Sequence, residues 1–375
     1  MKRWVPPSGG ALKDVMPSAV AALEVAGFDN SLSFDRTDRV VVLLVDGLGV
    51  VPLDAAIAHA DVNVPTLAAG RGTGRVITSP FPSTTPAGLA SLGTGLSTGC
   101  HGLVGASFVL PETGRVLWPL SWRDDPHPTA VQPEPTVLED AAAAGVQVTS
   151  ISPRAYEKSG LTRAVLRGGE YVGADSFGER VGQTARALRR SARSLTYVYW
   201  GDLDKTGHVH GVDSMEWRAE LELVDLLVSR IVEVAPTGTT VLLTADHGML
   251  DTAVHDRFEI DDHRDLHRSV THIAGEPRVR HIYTRPGASD DVAAAWKAAL
   301  GNRATVVGRE EATTAGLFGE VDPDLADRIG DVVVVARGST VLASQSVDAR
   351  SSALVGQHGA LTEDELAIPL LQWQA

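Results

Sequence analysis

The sequence predicts an α/β fold with a mostly parallel central sheet covered by helices on both faces, and three observations carry that expectation. Short apolar runs of β type alternate with helical stretches along most of the chain, the pattern of a parallel sheet with crossover helices. The run Val40-Val41-Val42-Leu43-Leu44-Val45 lacks polar alternation, as a strand buried on both faces requires. Three runs stop at polar, Gly-containing turns: residues 40–45 before Asp46-Gly47, 195–200 before Gly201-Asp202, and 240–245 before Asp246-His247-Gly248. In an open α/β sheet, functional groups gather beyond the carboxyl ends of the strands, so these turns can deliver their side chains to one crevice.

The elements follow in order. An amphipathic segment, Val15 to Val25, and the polar turn Asp35-Arg36-Thr37-Asp38 lead into the strand at 40–45. A helix is expected from there to about residue 60, then a β-type stretch at 74–79 and a helix over 85–97. Further strands fit 146–151, 195–200 and 240–245, with helices near 134–144, 176–193 and 213–234. Residues 262–345 differ: an Arg/His-rich stretch, a strand at 278–284, helices at 289–300 and 309–317, and a strand at 332–336 read as a small inserted or cap subdomain. Residues 1–261 and 346–375 then make the catalytic core, to which the chain returns at His358.

Composition narrows the function. The 375 residues are 43% hydrophobic, enough for a large core, and 33 Lys plus Arg against 47 Asp plus Glu leave a formal charge of −14. With no basic run to track a nucleic-acid backbone, extended DNA or RNA is not an expected partner. An acidic surface steers anions away, so an anionic substrate needs metal ions or local Arg and Lys. The lone Cys100 excludes an intrachain disulfide and any multi-cysteine zinc site. No secretory signal and no membrane span is read, and the cytoplasm is the expected location.

Seven residues carry the chemistry. Phe81-Pro82-Ser83-Thr84-Thr85-Pro86-Ala87-Gly88 joins a strand-like run to a helix, where a hydroxyl meets unpaired N–H groups and the positive end of the helix dipole, a good site for phosphate. Ser83, Thr84 and Thr85 are equally read as helix caps with Pro86 in the first turn, and a cap and a nucleophile are compatible roles. Asp204 and His208 form Asp-x-x-x-His, expected on a loop beyond a strand, where both can reach one ion; an acidic turn is the plainer explanation. Asp246 and His247, directly after a buried strand, need partners or a metal to offset burial. Asp46 stands in the same position after its own strand, and His358-Gly359 alone is only a turn. His255, His263, His267, His272 and His281 are expected at the surface or in support, and His101 in the turn that ends the nucleophile helix. Carboxylates and imidazoles together suit zinc or a similar divalent ion.

The ordered set Val45-Asp46-Gly47, Phe81-Pro82-Ser83-Thr84-Thr85, Asp204-x-x-x-His208, Ala245-Asp246-His247-Gly248-Met249 and His358-Gly359 resembles the alkaline phosphatase superfamily, and within it the nucleotide pyrophosphatase/phosphodiesterase (type I phosphodiesterase) branch. The resemblance covers residues 39 to 370. It implies two divalent ions, zinc before manganese or iron: one held by Asp204, His208 and His358, the other by Asp46, Asp246, His247 and Thr85. It also makes Thr85 the nucleophile and the substrate a small phosphate ester or nucleotide, cleaved at a phosphodiester or pyrophosphate bond through a phospho-threonine. One departure stands out. The branch usually carries an Asn shortly after the nucleophile, and here that stretch is Pro86-Ala87-Gly88.

A phosphomonoesterase or phosphonate hydrolase of the same superfamily would use the same ligands. A sulfatase would need a Cys/Ser-x-Pro-x-Arg pattern, and Thr84-Thr85-Pro86-Ala87-Gly88 supplies no Arg. A catalytically silent binding protein on this fold is the alternative of another class. No Arg adjoins the nucleophile motif, and Leu48, Trp200 and Leu203 are the expected pocket neighbours, so diesters are expected over monoesters.

Overall fold

The computed structural model describes residues 9–375. Its main sheet has seven strands in the order Arg75–Thr78, Ala367–Gln374, Thr239–Thr244, Arg39–Val45, Ser194–Trp200, Gln147–Ser152 and Glu170–Gly173. The five from Thr239–Thr244 to Glu170–Gly173 pair in parallel, and only Ala367–Gln374 runs against its neighbours. The fold class is therefore as the sequence indicates. Arg39–Val45 lies at the centre, its residues 40–45 fully buried, which is why that run has no polar alternation.

Register sets up the site. Val45 pairs with Trp200 and Leu44 with Thr244, so three neighbouring strands end level. The residues that follow, Asp46, Gly201-Asp202 and Ala245-Asp246, leave the sheet side by side. Helices Phe177–Arg190 and Met215–Val234 begin with serines, Ser176 and Ser214, whose hydroxyls accept first-turn N–H groups.

A second, antiparallel sheet runs Val270–Glu276, Val279–Thr284, Val332–Ala336, Ala304–Gly308. Because side chains alternate along a strand, its two faces bury different things. Ile282, Val332, Val334 and Val306 pack with Trp296 and Leu300 in a separate cluster, which also takes Phe258 and Ile260. Val279, Val333, Val335 and Val307 belong to the main core.

Several expectations need correction. The helix expected over 85–97 ends earlier, at Thr85–Thr94, capped by Gly95 in the left-handed region. His101 lies in the separate helix Thr98–His101, buried, its Nε2 3.1 Å from Ser91 Oγ. His281 is buried too, not at the surface: Nε2 donates to the Val104 carbonyl and Nδ1 accepts the Gly330 N–H. Asp204 and His208 sit on a helix, Asp202–His210, rather than a loop. Of the strands in these two sheets, Glu170–Gly173, Val270–Glu276, Ala304–Gly308 and Ala367–Gln374 were not anticipated. Among the described residues, no helix is long and apolar enough to cross a membrane.

Candidate metal centre and active site

All seven sequence-predicted residues come together beyond the carboxyl edge of the main sheet. The ligand atoms of Asp204, His208 and His358 lie within 4.8 Å of one another, and so do those of Asp46, Asp246 and His247. On the helix Asp202–His210 the i and i+4 positions share a face, so Asp204 Oδ2 and His208 Nε2 stand 3.4 Å apart. His247 Nε2 is 3.4 Å from Asp46 Oδ1 and 3.5 Å from Asp246 Oδ2. The two groups meet at His358, whose ring stacks on His247 at 3.6 Å and whose Nε2 is 3.3 Å from His208 Nε2.

Backbone carbonyls set the tautomers. Nδ1 of His208 donates to Gly356 O at 2.8 Å, Nδ1 of His247 to Gly248 O at 2.9 Å, and Nδ1 of His358 to Ser83 O at 2.8 Å. Each ring therefore keeps its proton on Nδ1 and turns an Nε2 lone pair inward, the arrangement of an imidazole ready to ligate. Asp46 Oδ1, Asp204 Oδ1 and Asp246 Oδ2 are buried without a hydrogen-bond partner. Inward imidazole lone pairs beside three carboxylate oxygens that receive no donor fit a cation.

The electrostatics agree. Burial first, then the charges of Asp246 and Asp204, push the Asp46 carboxyl well up from its usual range, although the Tyr199 hydroxyl donates to Asp46 Oδ2. Burial likewise raises Asp246, against the opposing pull of His247. His358 is pushed well down by burial and by the neighbouring His247 and His208. Divalent ions at both groups would offset the carboxylate repulsion directly.

Thr85 opens its helix, with Oγ1 3.2 Å from His247 Nε2. Thr84 is the N-cap residue by position, yet neither it nor a neighbour makes a side-chain cap bond, so capping does not use these hydroxyls. Ser83 instead ties this turn to the His358 loop: its N–H donates to Gly359 O, its Oγ donates to Ala360 O, and its Oγ accepts the Gly359 N–H. Two glycines permit the closeness. A Cβ on Gly88 would lie 2.6 Å from Asp246 Cβ, and Gly47 has φ +73° with its Cβ position 2.9 Å from Asp204 Oδ1. Gly88 stands in the stretch where the branch usually has its Asn, packed on Asp246.

A cavity of about 500 Å³ opens beside Thr85, Asp46, Asp204 and His208. Its walls include Leu89, Leu120, Tyr156, Leu161, Tyr199 and Val209. Leu48, Trp200 and Leu203, the expected neighbours, are buried and do not line it. Arg180 and Lys205 do, from outside the stretch Phe81 to Gly88, which itself carries no Arg. Sequence reasoning also missed Tyr199, which reads as an ordinary strand aromatic, and Glu365. The Glu365 carboxylate accepts from Ala360 N, Thr362 and Arg278, while its carbonyl accepts from Gly248 N.

Comparison with known proteins follows this geometry. Residues 40–361 match the family described as type I phosphodiesterase / nucleotide pyrophosphatase. No curated protein matches the chain. Among solved structures, murine ectonucleotide pyrophosphatase/phosphodiesterase 5 is similar at 20% identity and TM-score 0.72, over 88% of this chain and 87% of that one. An inactive threonine-to-alanine variant of the same murine protein in complex with AMP is similar at 20% identity and TM-score 0.72, over 89% and 87%. Phosphonoacetate hydrolase from Sinorhizobium meliloti 1021, in complex with phosphonoformate, is similar at 21% identity and TM-score 0.70, over 90% of each chain. With the family pattern spanning residues 40–361, the chain belongs to the type I phosphodiesterase/nucleotide pyrophosphatase family of the alkaline phosphatase superfamily and is a hydrolase of that metal-dependent family.

Proposed function

We propose that this hydrolase cleaves phosphodiester or pyrophosphate bonds with Thr85 as nucleophile and two divalent ions, zinc before manganese or iron, held by Asp204, His208 and His358 and by Asp46, Asp246, His247 and Thr85. The observation that carries the reading is the Thr85 hydroxyl at a helix N-terminus, 3.2 Å from His247 Nε2 and beside two groups of inward-facing lone pairs. Ions bound there would supply Lewis acidity, lowering the hydroxyl pKa and drawing charge off the phosphoryl oxygens. Thr85 Oγ1 then attacks phosphorus, the bond to the leaving oxygen breaks, and the hydroxyl proton passes to water. The product is a phospho-threonine, which water hydrolyses in a second displacement. The first-turn N–H groups of Thr85 and Ala87 have no i−4 partner within the helix and would be available to phosphoryl oxygens, a role the branch's Asn usually shares. The inactive threonine-to-alanine variant of the murine neighbour, complexed with AMP, is consistent with such a nucleophile.

The apolar wall of the cavity suits an organic substituent, which a diester presents beside its single charge. Expected is a diester-to-monoester ratio in kcat/KM above one when both carry the same leaving group. Thr85→Ala should lose several orders of magnitude in turnover, and Thr85→Ser should retain part of it. Rapid quenching should trap phosphate on Thr85 in the native protein. A clear monoester preference would shift the reading to phosphomonoesterase. Phosphonates are a second candidate class, since a neighbour is a phosphonoacetate hydrolase, and belong in the same substrate panel.

A further inference from the structure

Arg180 is out of place for a helix arginine. On the helix Phe177–Arg190, Arg186, Arg189 and Arg190 are exposed, as solvated arginines are, whereas Arg180 is 3% exposed. Its guanidinium lies 4.6 Å over the Trp200 ring, and Nε donates to the Tyr199 carbonyl at 3.1 Å. Among the described residues no carboxylate forms an ion pair with it. The contrast is with Arg278 and Arg280, also buried, which are paired to Glu365 and Asp348. Arg328, buried as well, gives Nη1 to two backbone carbonyls, Gly102 and Val131, and lines no part of this cavity.

Nearby acids are largely engaged elsewhere. Asp175 is held by Arg154, and Glu220 accepts from Trp200 Nε1. Asp202 faces the cavity and acts on Arg180 only from beyond ion-pair distance. Lys205, exposed on the helix Asp202–His210, lines the same cavity and adds a second cation. A buried charge without a partner is costly, and a guanidinium fork is shaped for two oxygens of one anion.

We propose that Arg180 and Lys205 form a second anion site in the cavity beside Thr85, so that the organic part of the substrate carries a carboxylate or a further phosphate. This rests on the phosphoryl-transfer reading of Thr85 and its neighbours. The substrate class is then a doubly anionic ester, one anion at the scissile phosphorus and one against the guanidinium. Stacking on Trp200 and the bond to Tyr199 O fix the Arg180 side chain before ligand arrives, which lowers the entropy lost on binding.

Calorimetry on the zinc-loaded protein tests this without turnover, using phenylphosphonate, 4-carboxyphenylphosphonate and 1,4-phenylenediphosphonate. The added anion should tighten binding about tenfold or more, and the two para-substituted ligands tell carboxylate from phosphate. In Arg180→Gln that gain should vanish while phenylphosphonate binds as before. Arg180→Lys should keep part of it, and Lys205→Ala, at an exposed position, should lose a smaller part. Equal affinities in the native protein, or a gain that survives Arg180→Gln and Lys205→Ala, would overturn the anion site. So would equal weakening of all three ligands in Arg180→Gln and Arg180→Lys, the mark of a structural arginine. Failure of phenylphosphonate itself to bind would instead overturn the phosphoryl-site reading and this inference with it.

Discussion

At the residue scale, orientation matters as much as identity. Three imidazoles reach the centre with Nδ1 committed to the carbonyls of Ser83, Gly248 and Gly356. His358 stands between the two ligand groups, so His358→Ala should reduce bound divalent metal below two per chain and abolish most activity. Full metal content by elemental analysis would remove His358 from the site. A different residue responds to pH. Glu276 is buried, accepts one bond from Ala106 N, and burial pushes its carboxyl from 4.5 up to about 8. The folded chain therefore binds a proton there that the unfolded chain has lost between those two values, and stability falls as pH rises through that window. Glu276→Gln should flatten this fall, read as a smaller Tm difference between about pH 6 and about pH 9. The candidate ligands stand out in sequence because each follows a buried strand or a Gly turn. Arg180 was not: it is one arginine among four on its helix, and only the fold shows which of them is covered. Glu365 was hidden in Glu363-Asp364-Glu365, which reads as a solvated acidic run.

At the scale of elements, two turns from distant parts of the chain are clamped together. Glu365 receives the Ala360 N–H, two residues past His358, on its carboxylate and the Gly248 N–H, next to His247, on its carbonyl. Arg278, from the second sheet, holds the same carboxylate with Nε at 2.9 Å and Nη2 at 3.0 Å. Glu365→Gln should keep the fold but lower metal affinity by roughly 10–100-fold, the range seen when groups supporting metal ligands are changed. Competition with a metal-sensitive dye measures this, and an unchanged affinity would show that the clamp does not reach the ligands. Five of the seven strands of the main sheet were legible, the central ones because apolar runs are continuous where both faces are covered. Ala367–Gln374 was not, because Pro369 interrupts a mixed run and demotes it as a strand. Val270–Glu276 was obscured by the His- and Arg-rich stretch before it and by Gly275 within it.

For the whole molecule, the second sheet is part of the same packed body, since one of its faces completes the main core. We therefore expect one cooperative unfolding transition rather than two. Asp46, Asp204 and Asp246 repel one another across a buried site, so removing metal should lower the Tm of that transition by several degrees and restoring zinc should recover it. Scanning calorimetry of chelated and reloaded protein reads both outcomes. Two separate transitions would show that the second sheet melts on its own.

The candidate ligands Asp46, Asp246 and His247 follow the ends of central strands, whereas Tyr156, Leu161 and Arg180 reach the cavity from helices outside the sheet. Mutation in the second set can redraw what is recognised while the reactive centre stays folded and loaded. Such a division gives natural variation, or a directed library, a protected engine and an editable mouth: substitutions at Tyr156 and Leu161 should change substrate rank order at nearly constant metal occupancy.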